Sequence, residues 1–174
     1  FSQLQGMKIF DRDGDAVGKR ADLTLRPGDT LLEISRIVYT SNILGEKVIL
    51  PISSVSSING DIRLDVSRDE IPPGRLSEDE LLVTQTILDR QIVDIDGLKV
   101  VRVNDILLGQ IKRSLCLVGV DVGFKGIIRR LGLGGLSGGL MAKLPNRIVP
   151  WSYIDPLDPN LRSLHLKISR KTIN

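Results

Sequence analysis

The chain has 174 residues, of which 41% are hydrophobic and only 3% aromatic, so any core must be built from Ile, Leu and Val. A single cysteine excludes an internal disulfide, and no apolar run approaches the ~20 residues that cross a bilayer. These features predict a soluble protein, and the scarcity of aromatic rings disfavours stacking on single-stranded bases.

In chain order, the first element is a predicted β-hairpin over residues 6–25. Its turn is marked by Asp13-Gly14 between two β-rich runs, because Asp-Gly supports the backbone conformations of a tight turn. The same pattern returns 83 residues later as one long hairpin over residues 89–108, with its turn at Asp96-Gly97. The chain is therefore predicted to contain a duplicated small β-domain.

The remainder of the first copy alternates short β-rich runs with turn signals such as Pro27-Gly28 and Asn59-Gly60. A series of short strands at this spacing is typical of a small antiparallel barrel, which closes its own sheet edges. We therefore predict an all-β fold of two tandem small antiparallel β-barrels. The first barrel covers residues 1–70, a polar linker covers 71–80, and the second barrel covers 81–174.

The second copy contains an insert. Pro150 corresponds to Pro51 of the first copy, and the offset has grown from 83 to 99 residues, so the second copy holds 16 extra residues. They fall within the Gly-rich stretch 123–146. This stretch lacks the pattern of a phosphate-binding loop, because no Gly-Lys-Ser/Thr motif follows its glycines. We interpret it from the sequence as a flexible insert.

Positive charge is concentrated towards the end of the chain. From residue 125 onward there are nine Lys or Arg and two Asp, a net charge of +7, whereas the rest of the chain carries −4. Within the insert the basic residues are interleaved with apolar ones, which favours a membrane interface or an acidic partner. The alternative is a loop folded over the mouth of the barrel. The candidate interaction surface consists of Lys125, Arg129, Arg130, Lys143 and Arg147.

The acidic residues of the first hairpin match a calcium-binding loop only in part. Asp11, Asp13 and Asp15 alternate, but the sixth position, where such a loop needs Gly for its sharp bend, holds Ala16. The second copy has Leu98 in place of Asp15. A plain Asp-Gly hairpin explains both copies, and we predict no metal site.

No residues form the pattern of a catalytic or cofactor-binding site. His165 has no cysteine cluster or nucleophile around it, and Cys116 in its apolar run is expected to be a small buried hydrophobe. Asp22 and Asp105 recur at equivalent places, and we predict that each accepts backbone hydrogen bonds, the alternative being a shared ligand site. The chain is therefore expected to have no catalytic residue and no cofactor, and not to be an enzyme.

Several of these features together resemble PRC-barrel domains. They are the duplicated hairpin, the Val-Gly-Val-Asp-Val-Gly run at 118–123, the Arg-Arg-Leu-Gly run at 129–132 and the Val-Pro-Trp ending at 149–151. The chain is similar to the tandem barrels at the N-terminus of some MgtE-like magnesium transporter proteins, where a helical magnesium-sensing domain and paired CBS domains follow. A domain of ribosome maturation factors also belongs to the family. The resemblance implies tandem barrels without catalytic residues.

The resemblance further implies a non-enzymatic regulatory or adaptor module, the cytosolic N-terminal part of a magnesium transporter-like protein, which mediates protein–protein or membrane-proximal contacts. Expected partners are the downstream domains or a membrane protein, with an anionic membrane surface and a second copy of the chain as further candidates. The expected localisation is cytoplasmic, at the inner face of the membrane. The alternative is an RNA- or ribosome-associated module, which the basic C-terminal part favours and the few aromatic residues oppose.

Overall fold

The computed structural model describes residue 1 and residues 3–28, 31–42, 45–71, 74–77, 80–95, 98–123 and 147–156. Within these ranges the chain is mostly β-strand, with a single α-helical turn and a few short 3-10 turns, which confirms the predicted all-β class. None of the helices in this described part has the length and apolar composition to cross a bilayer.

The elements follow one another at short intervals. The first strands are β1 (Lys8–Phe10), β2 (Ala16–Pro27), β3 (Leu32–Ser41), β4 (Lys47–Pro51), β5 (Val55–Asn59), β6 (Asp61–Leu64) and β7 (Leu81–Leu82). After the helical turn α1 (Val83–Thr86) come β8 (Gln91–Asp94), β9 (Lys99–Arg102), β10 (Asp105–Ile111), β11 (Ser114–Asp121), β12 (Ile148–Pro150) and β13 (Ile154–Pro156).

The chain divides into two compact units. The amino-terminal unit contains Gln3–Arg26 and Ile34–Val83, and the carboxy-terminal unit contains Phe1–Ser2, Pro27–Glu33 and Thr84–Asn174. Each unit buries its own set of mainly aliphatic side chains, in line with the composition. Removing such a side chain from water stabilises the fold by about 1.5–3 kcal/mol.

In the amino-terminal unit a hairpin forms around the predicted Asp13-Gly14 turn, but its paired part covers only Lys8–Phe10 and residues 16–19 of the predicted residues 6–25. β1 pairs antiparallel with β2, with Ile9 opposite Gly18, and Gly14 has φ +91°, a left-handed conformation that Gly adopts readily. β1 also lies parallel to β6, with Ile9 opposite Ile62, while β3 pairs with β4 and β5 pairs with β6 as antiparallel hairpins. The most deeply buried side chains of this unit are Ile9, Leu23, Leu25, Ile37, Tyr39, Leu50 and Ile62.

In the carboxy-terminal unit, β8 is bordered by β9 on one side and by β13 on the other, both antiparallel. β11 lies between β10 and β12, again with antiparallel pairing. The most deeply buried side chains of this unit are Leu32, Ile87, Ile92, Leu117 and Trp151. Trp151 is the one tryptophan of the chain, and the other four of these side chains are aliphatic.

The internal repeat is visible in the register of two hairpins. In β3–β4, Arg36 lies opposite Pro51, and in β11–β12, Gly119 lies opposite Pro150. Pro51 has φ −59° and ψ 145°, Pro150 has φ −59° and ψ 144°, and a three-residue 3-10 turn follows each of them. This confirms the correspondence between Pro51 and Pro150.

The prediction of one long hairpin over residues 89–108 was wrong in its extent. The hairpin forms between β8 and β9, but its second arm ends at Arg102, and Leu108 belongs to β10, which pairs with β11. The chain changes partner at Val103 and Asn104: the Val103 N–H donates to the Arg90 carbonyl at 2.9 Å, and the Asn104 N–H donates to the Asp121 carbonyl at 2.8 Å. In the first copy the corresponding residues lie within β2, which runs unbroken.

Candidate functional site

Of the five residues of the candidate interaction surface, Lys125, Arg129, Arg130 and Lys143 lie outside the described residues. Arg147 is described, immediately before β12, and its Nη2 lies 2.9 Å from Asp94 Oδ2. The Asp94 side chain is 7% exposed and that of Arg147 is 39% exposed. Arg147 thus compensates a buried carboxylate and holds the end of the insert beside β8.

The two ends of the insert are held together by a compact set of hydrogen bonds, which we call the insert stem. The Val122 N–H donates to the Arg147 carbonyl at 2.9 Å, closing the insert across its base. The Gly123 N–H donates to Asp121 Oδ1 at 2.8 Å, and Asn104 Nδ2 donates to the Gly123 carbonyl at 3.0 Å. Asn104, Asp121, Val122, Gly123 and Arg147 therefore form a hydrogen-bonded base that joins the residues on either side of 124–146.

The first copy has apolar residues at the places of the two stem side chains. Ala21 corresponds to Asn104 and Val38 corresponds to Asp121, and all four are buried. Alanine and valine side chains form no hydrogen bonds, so the two side-chain hydrogen bonds to the Gly123 backbone are specific to the second copy. The sequence contains this signal, since two buried apolar positions of one copy are polar in the other.

Asp105 and Asp121 lie opposite each other in β10 and β11 and are 5% and 1% exposed. Burying a carboxylate costs several kcal/mol unless hydrogen bonds or charges compensate it. Asp105 Oδ1 accepts the Ile106 N–H at 2.9 Å and lies 3.0 Å from the amino group of Phe1. In the first copy, Asp22 Oδ1 accepts the Leu23 N–H at 2.8 Å. This confirms the prediction that Asp22 and Asp105 accept backbone hydrogen bonds.

In the amino-terminal unit, the turn between β3 and β4 occupies the place of the insert. The Ser41 N–H donates to the Glu46 carbonyl at 2.8 Å, and Gly45, with φ +68°, donates its N–H to the Ser41 carbonyl at 3.2 Å. The Asn42 N–H donates to the Val17 carbonyl at 3.0 Å. The short turn is thus held by hydrogen bonds between its own ends and by one hydrogen bond to Val17 in β2.

The alternating aspartates of the first hairpin build its turn. Asp11 Oδ1 accepts the N–H groups of Asp13 and Asp15 at 3.1 and 2.8 Å, and Oδ2 accepts the Arg68 N–H at 3.2 Å. Burial alone raises the pKa of Asp11, but these hydrogen bonds outweigh it, so the pKa is lowered. Backbone amides thus already bond to the Asp11 carboxylate that a calcium loop would direct at the metal.

Glu80 forms a buried polar network that the sequence analysis missed. Both of its carboxylate oxygens lie 3.0 Å from Arg36 Nε, Ser35 Oγ donates to Oε1, and the Ser77 N–H donates to Oε2 at 2.9 Å. Burial raises the pKa of Glu80, but the hydrogen bonds from Ser35, Ser77 and Arg36 outweigh it and lower the pKa. The Ser-x-x-Glu spacing of Ser77 and Glu80, which is that of a capping box, was the available signal.

The remaining reactive side chains have structural surroundings. Cys116 is 4% exposed, as predicted, and its Sγ lies 3.7 Å from the Ser114 carbonyl. Burial, with a smaller effect of the Glu33 charge, raises the pKa of the Cys116 thiol, so the thiol is protonated at neutral pH. His165 lies outside the described residues. Within those residues, no three His, Cys, Asp or Glu side chains are grouped as metal ligands.

Comparison with known proteins adds no relative: no protein-family model matches the chain, and no curated protein matches it. The central feature of the site is the insert stem, which joins Gly123 and Arg147 to the buried side chains of Asn104, Asp121 and Asp94.

Proposed function

We propose that the chain is a non-enzymatic regulatory or adaptor module of two tandem PRC-barrel-like domains. In this proposal it is the cytosolic N-terminal part of an MgtE-like magnesium transporter protein and makes protein–protein or membrane-proximal contacts. The equal registers of β3–β4 and β11–β12 support the duplication on which the proposal rests.

The insert is the proposed contact surface. The observation that carries this proposal is a difference between the β3–β4 and β11–β12 hairpins, which have the same register but differ in the length of the segment between their arms. The first closes through a short turn, and the second holds residues 124–146 on the insert stem. Loops on a rigid scaffold are where binding functions concentrate. Lys125, Arg129, Arg130 and Lys143 give this segment a positive charge suited to anionic lipid or an acidic protein surface.

A loop exchange tests the proposal. Residues 124–146 are replaced by residues 41–47 of the first copy, which removes the 16 extra residues and leaves Gly123 and Arg147 in place. Because the two hairpins share a register, we expect the exchanged chain to fold with nearly unchanged stability. We also expect it to lose its association with vesicles containing anionic lipid, and the association of the unchanged chain to weaken as salt rises.

Charge reversal provides the matched control. Replacing Lys125, Arg129, Arg130 and Lys143 by Glu keeps the length of the insert and should abolish association to the same extent as the exchange. If the exchanged chain unfolds, while the charge-reversed chain folds and binds like the original, the insert is a structural lid and the proposal is wrong. If neither variant affects vesicle binding but both affect binding to RNA, the ribosome-associated alternative is favoured.

A further inference from the structure

Strand β9 exposes a residue whose counterpart in the first copy is covered. Val17, in β2, is 3% exposed, and its carbonyl accepts the Asn42 N–H. Val100 occupies the corresponding place 83 residues later and is 57% exposed. Among the described strands, β9 is bordered by β8 alone and ends the three-stranded sheet β13–β8–β9. Within the described residues, no strand pairs with this edge of β9, whereas Asn42 occupies the corresponding place in the first copy.

The exposed edge is accompanied by exposed apolar side chains. Leu98, just before β9, is 87% exposed, and Ile95, just after β8, is 48% exposed. A single exposed apolar residue needs no explanation, but three on one hairpin form a patch of the kind that marks interaction sites. A strand laid along β9 would hydrogen-bond to its edge and cover Val100 and Leu98 in the same step.

The charges at this edge disfavour a second copy of the chain as the occupant. Lys99 and Arg102 flank the two valines of β9, so antiparallel pairing of two β9 strands with Val100 opposite Val101 also places Lys99 opposite Arg102 of the other copy. Like charges directly opposite each other destabilise a strand pair, and charged residues on edges prevent self-association.

The surface of this unit is also basic, which favours an acidic occupant. Asp94, Asp105 and Asp121 are 5%, 5% and 1% exposed, so their charges are withdrawn from the surface. Arg90, Lys99, Arg102, Lys112 and Arg113 are exposed. The exposed acidic residue beside them, Asp89, lies 3.0 Å from Arg102 Nη2, which leaves Lys99 as the cation of β9 without an ion pair among the described residues. Acidic side chains on an added strand would therefore meet positive charge beside β9.

We propose that β9 accepts, by β-strand addition, an extended segment of another protein in which apolar residues alternate with Asp or Glu. The backbone of that segment continues the sheet beyond β9. Its apolar side chains pack on Val100 and Leu98, and its carboxylates pair with Lys99. The residues of this site, on β9 and just before it, are different from those of the proposed contact surface above.

The test uses the full 174-residue chain and, as probe, a fluorescein-labelled ten-residue peptide of alternating Val and Glu. The expected results are saturable binding by fluorescence anisotropy and slower hydrogen exchange of the amides of residues 100–102 when the peptide is bound. Val100→Glu should weaken binding at least about ten-fold, because it removes the apolar contact and adds a like charge. Ile58→Glu, at a residue 40% exposed on β5 in the other unit, should leave binding unchanged.

Leu98→Glu serves as a second variant in case Val100→Glu fails to fold, because Leu98 is too exposed to matter for folding. The proposal is overturned if the Val/Glu peptide shows no saturable binding, if a Val/Lys peptide binds equally well, or if neither variant weakens binding. It is also overturned if sedimentation shows a dimer of the chain that Leu98→Glu dissociates, since the occupant would then be a second copy.

Discussion

The β3–β4 and β11–β12 hairpins occupy the same place in the two copies, have the same register and differ in the segment between their arms. Extending that segment from the 7 residues 41–47 to the 23 residues 124–146 costs only about 1 kcal/mol of loop-closure entropy. Asn104 and Asp121, which replace Ala21 and Val38, add side-chain hydrogen bonds worth about that much. A duplicated hairpin can therefore gain a long insert at little cost in folding free energy when side-chain hydrogen bonds hold the two ends of the insert together.

The largest expected difference in stability is between substitutions of Trp151 and Ile52, the residues that follow Pro150 and Pro51. Trp151 is 2% exposed, whereas its counterpart Ile52 is only partly buried. Trp151→Ala should lower the free energy of unfolding by about 3–5 kcal/mol, and Ile52→Ala by about 1 kcal/mol. Urea unfolding followed by circular dichroism measures both. Equal losses would mean that the two turns are equivalent in packing and that the second unit is not organised around its tryptophan.

The second effect concerns a network that only the first copy has, since Ser35 and Arg36 correspond to Val118 and Gly119. Glu80→Gln should lower the free energy of unfolding by about 2 kcal/mol at neutral pH, because it weakens charge-assisted bonds to a buried group. The exposed Glu46→Gln is the control and should change stability by less than about 0.5 kcal/mol.

The same variant has a defined pH dependence. Since folding lowers the pKa of Glu80, its contribution is fully present above the pKa of the unfolded chain and is lost as the pH falls through the lower pKa of the folded state. The difference in unfolding free energy between the original chain and Glu80→Gln should therefore shrink as the solution is acidified below about pH 4.5. A difference that stays constant on acidification contradicts this account.

The third expected effect concerns the side-chain hydrogen bond from Asn104 to the Gly123 carbonyl. Asn104→Ala introduces the residue that the first copy has at the corresponding position, Ala21, and removes this hydrogen bond. We expect a loss of about 1–2 kcal/mol and faster hydrogen exchange at the Gly123 amide. Asn42→Ala, which removes a long 3.4 Å contact of an exposed side chain to Ala16, should have almost no effect. If both variants behave alike, the stem does not hold the insert.

The smallest expected effect is that of divalent metal ions on the two hairpin turns. Because Asp11 already accepts three backbone N–H groups, titration with Mg²⁺ or Ca²⁺ to millimolar concentration should produce no saturable heat. A stoichiometric site of micromolar affinity, lost in Asp11→Asn, would show that the turn rearranges to bind metal.

The sequence predicted the features that depend on neighbouring residues. Gly14 follows Asp13 in a tight turn, and Pro51 and Pro150 precede similar turns, because these residues restrict or permit particular backbone conformations wherever they occur. Alternation of apolar residues identified strands because successive side chains of a strand point to opposite faces of the sheet.

The features that escaped prediction depend on distant partners. Asn104 bonds to Gly123, 19 residues away, and Glu80 bonds to Arg36, 44 residues away. The break between β9 and β10 lies where the backbone N–H of the same Asn104 donates to the Asp121 carbonyl, 17 positions further along the chain. Where one copy of a repeat has a polar residue and the other has a buried apolar one, the polar residue is expected to have a distant hydrogen-bond partner. The sequence does not show which residue that partner is.

The parallel pairing of β1 with β6 has a consequence for the order in which structure forms during synthesis of the chain. Ile9 meets Ile62 only after 53 further positions have been added, whereas β1 and β2 pair locally. Contacts between distant segments form slowly because the intervening chain must close first. Until residue 64 has been synthesised, β1 lacks its β6 partner, and an unpaired strand edge is a place where misassembly with other chains can begin. The β1–β6 pair is therefore expected to be among the last parts of the amino-terminal sheet to form.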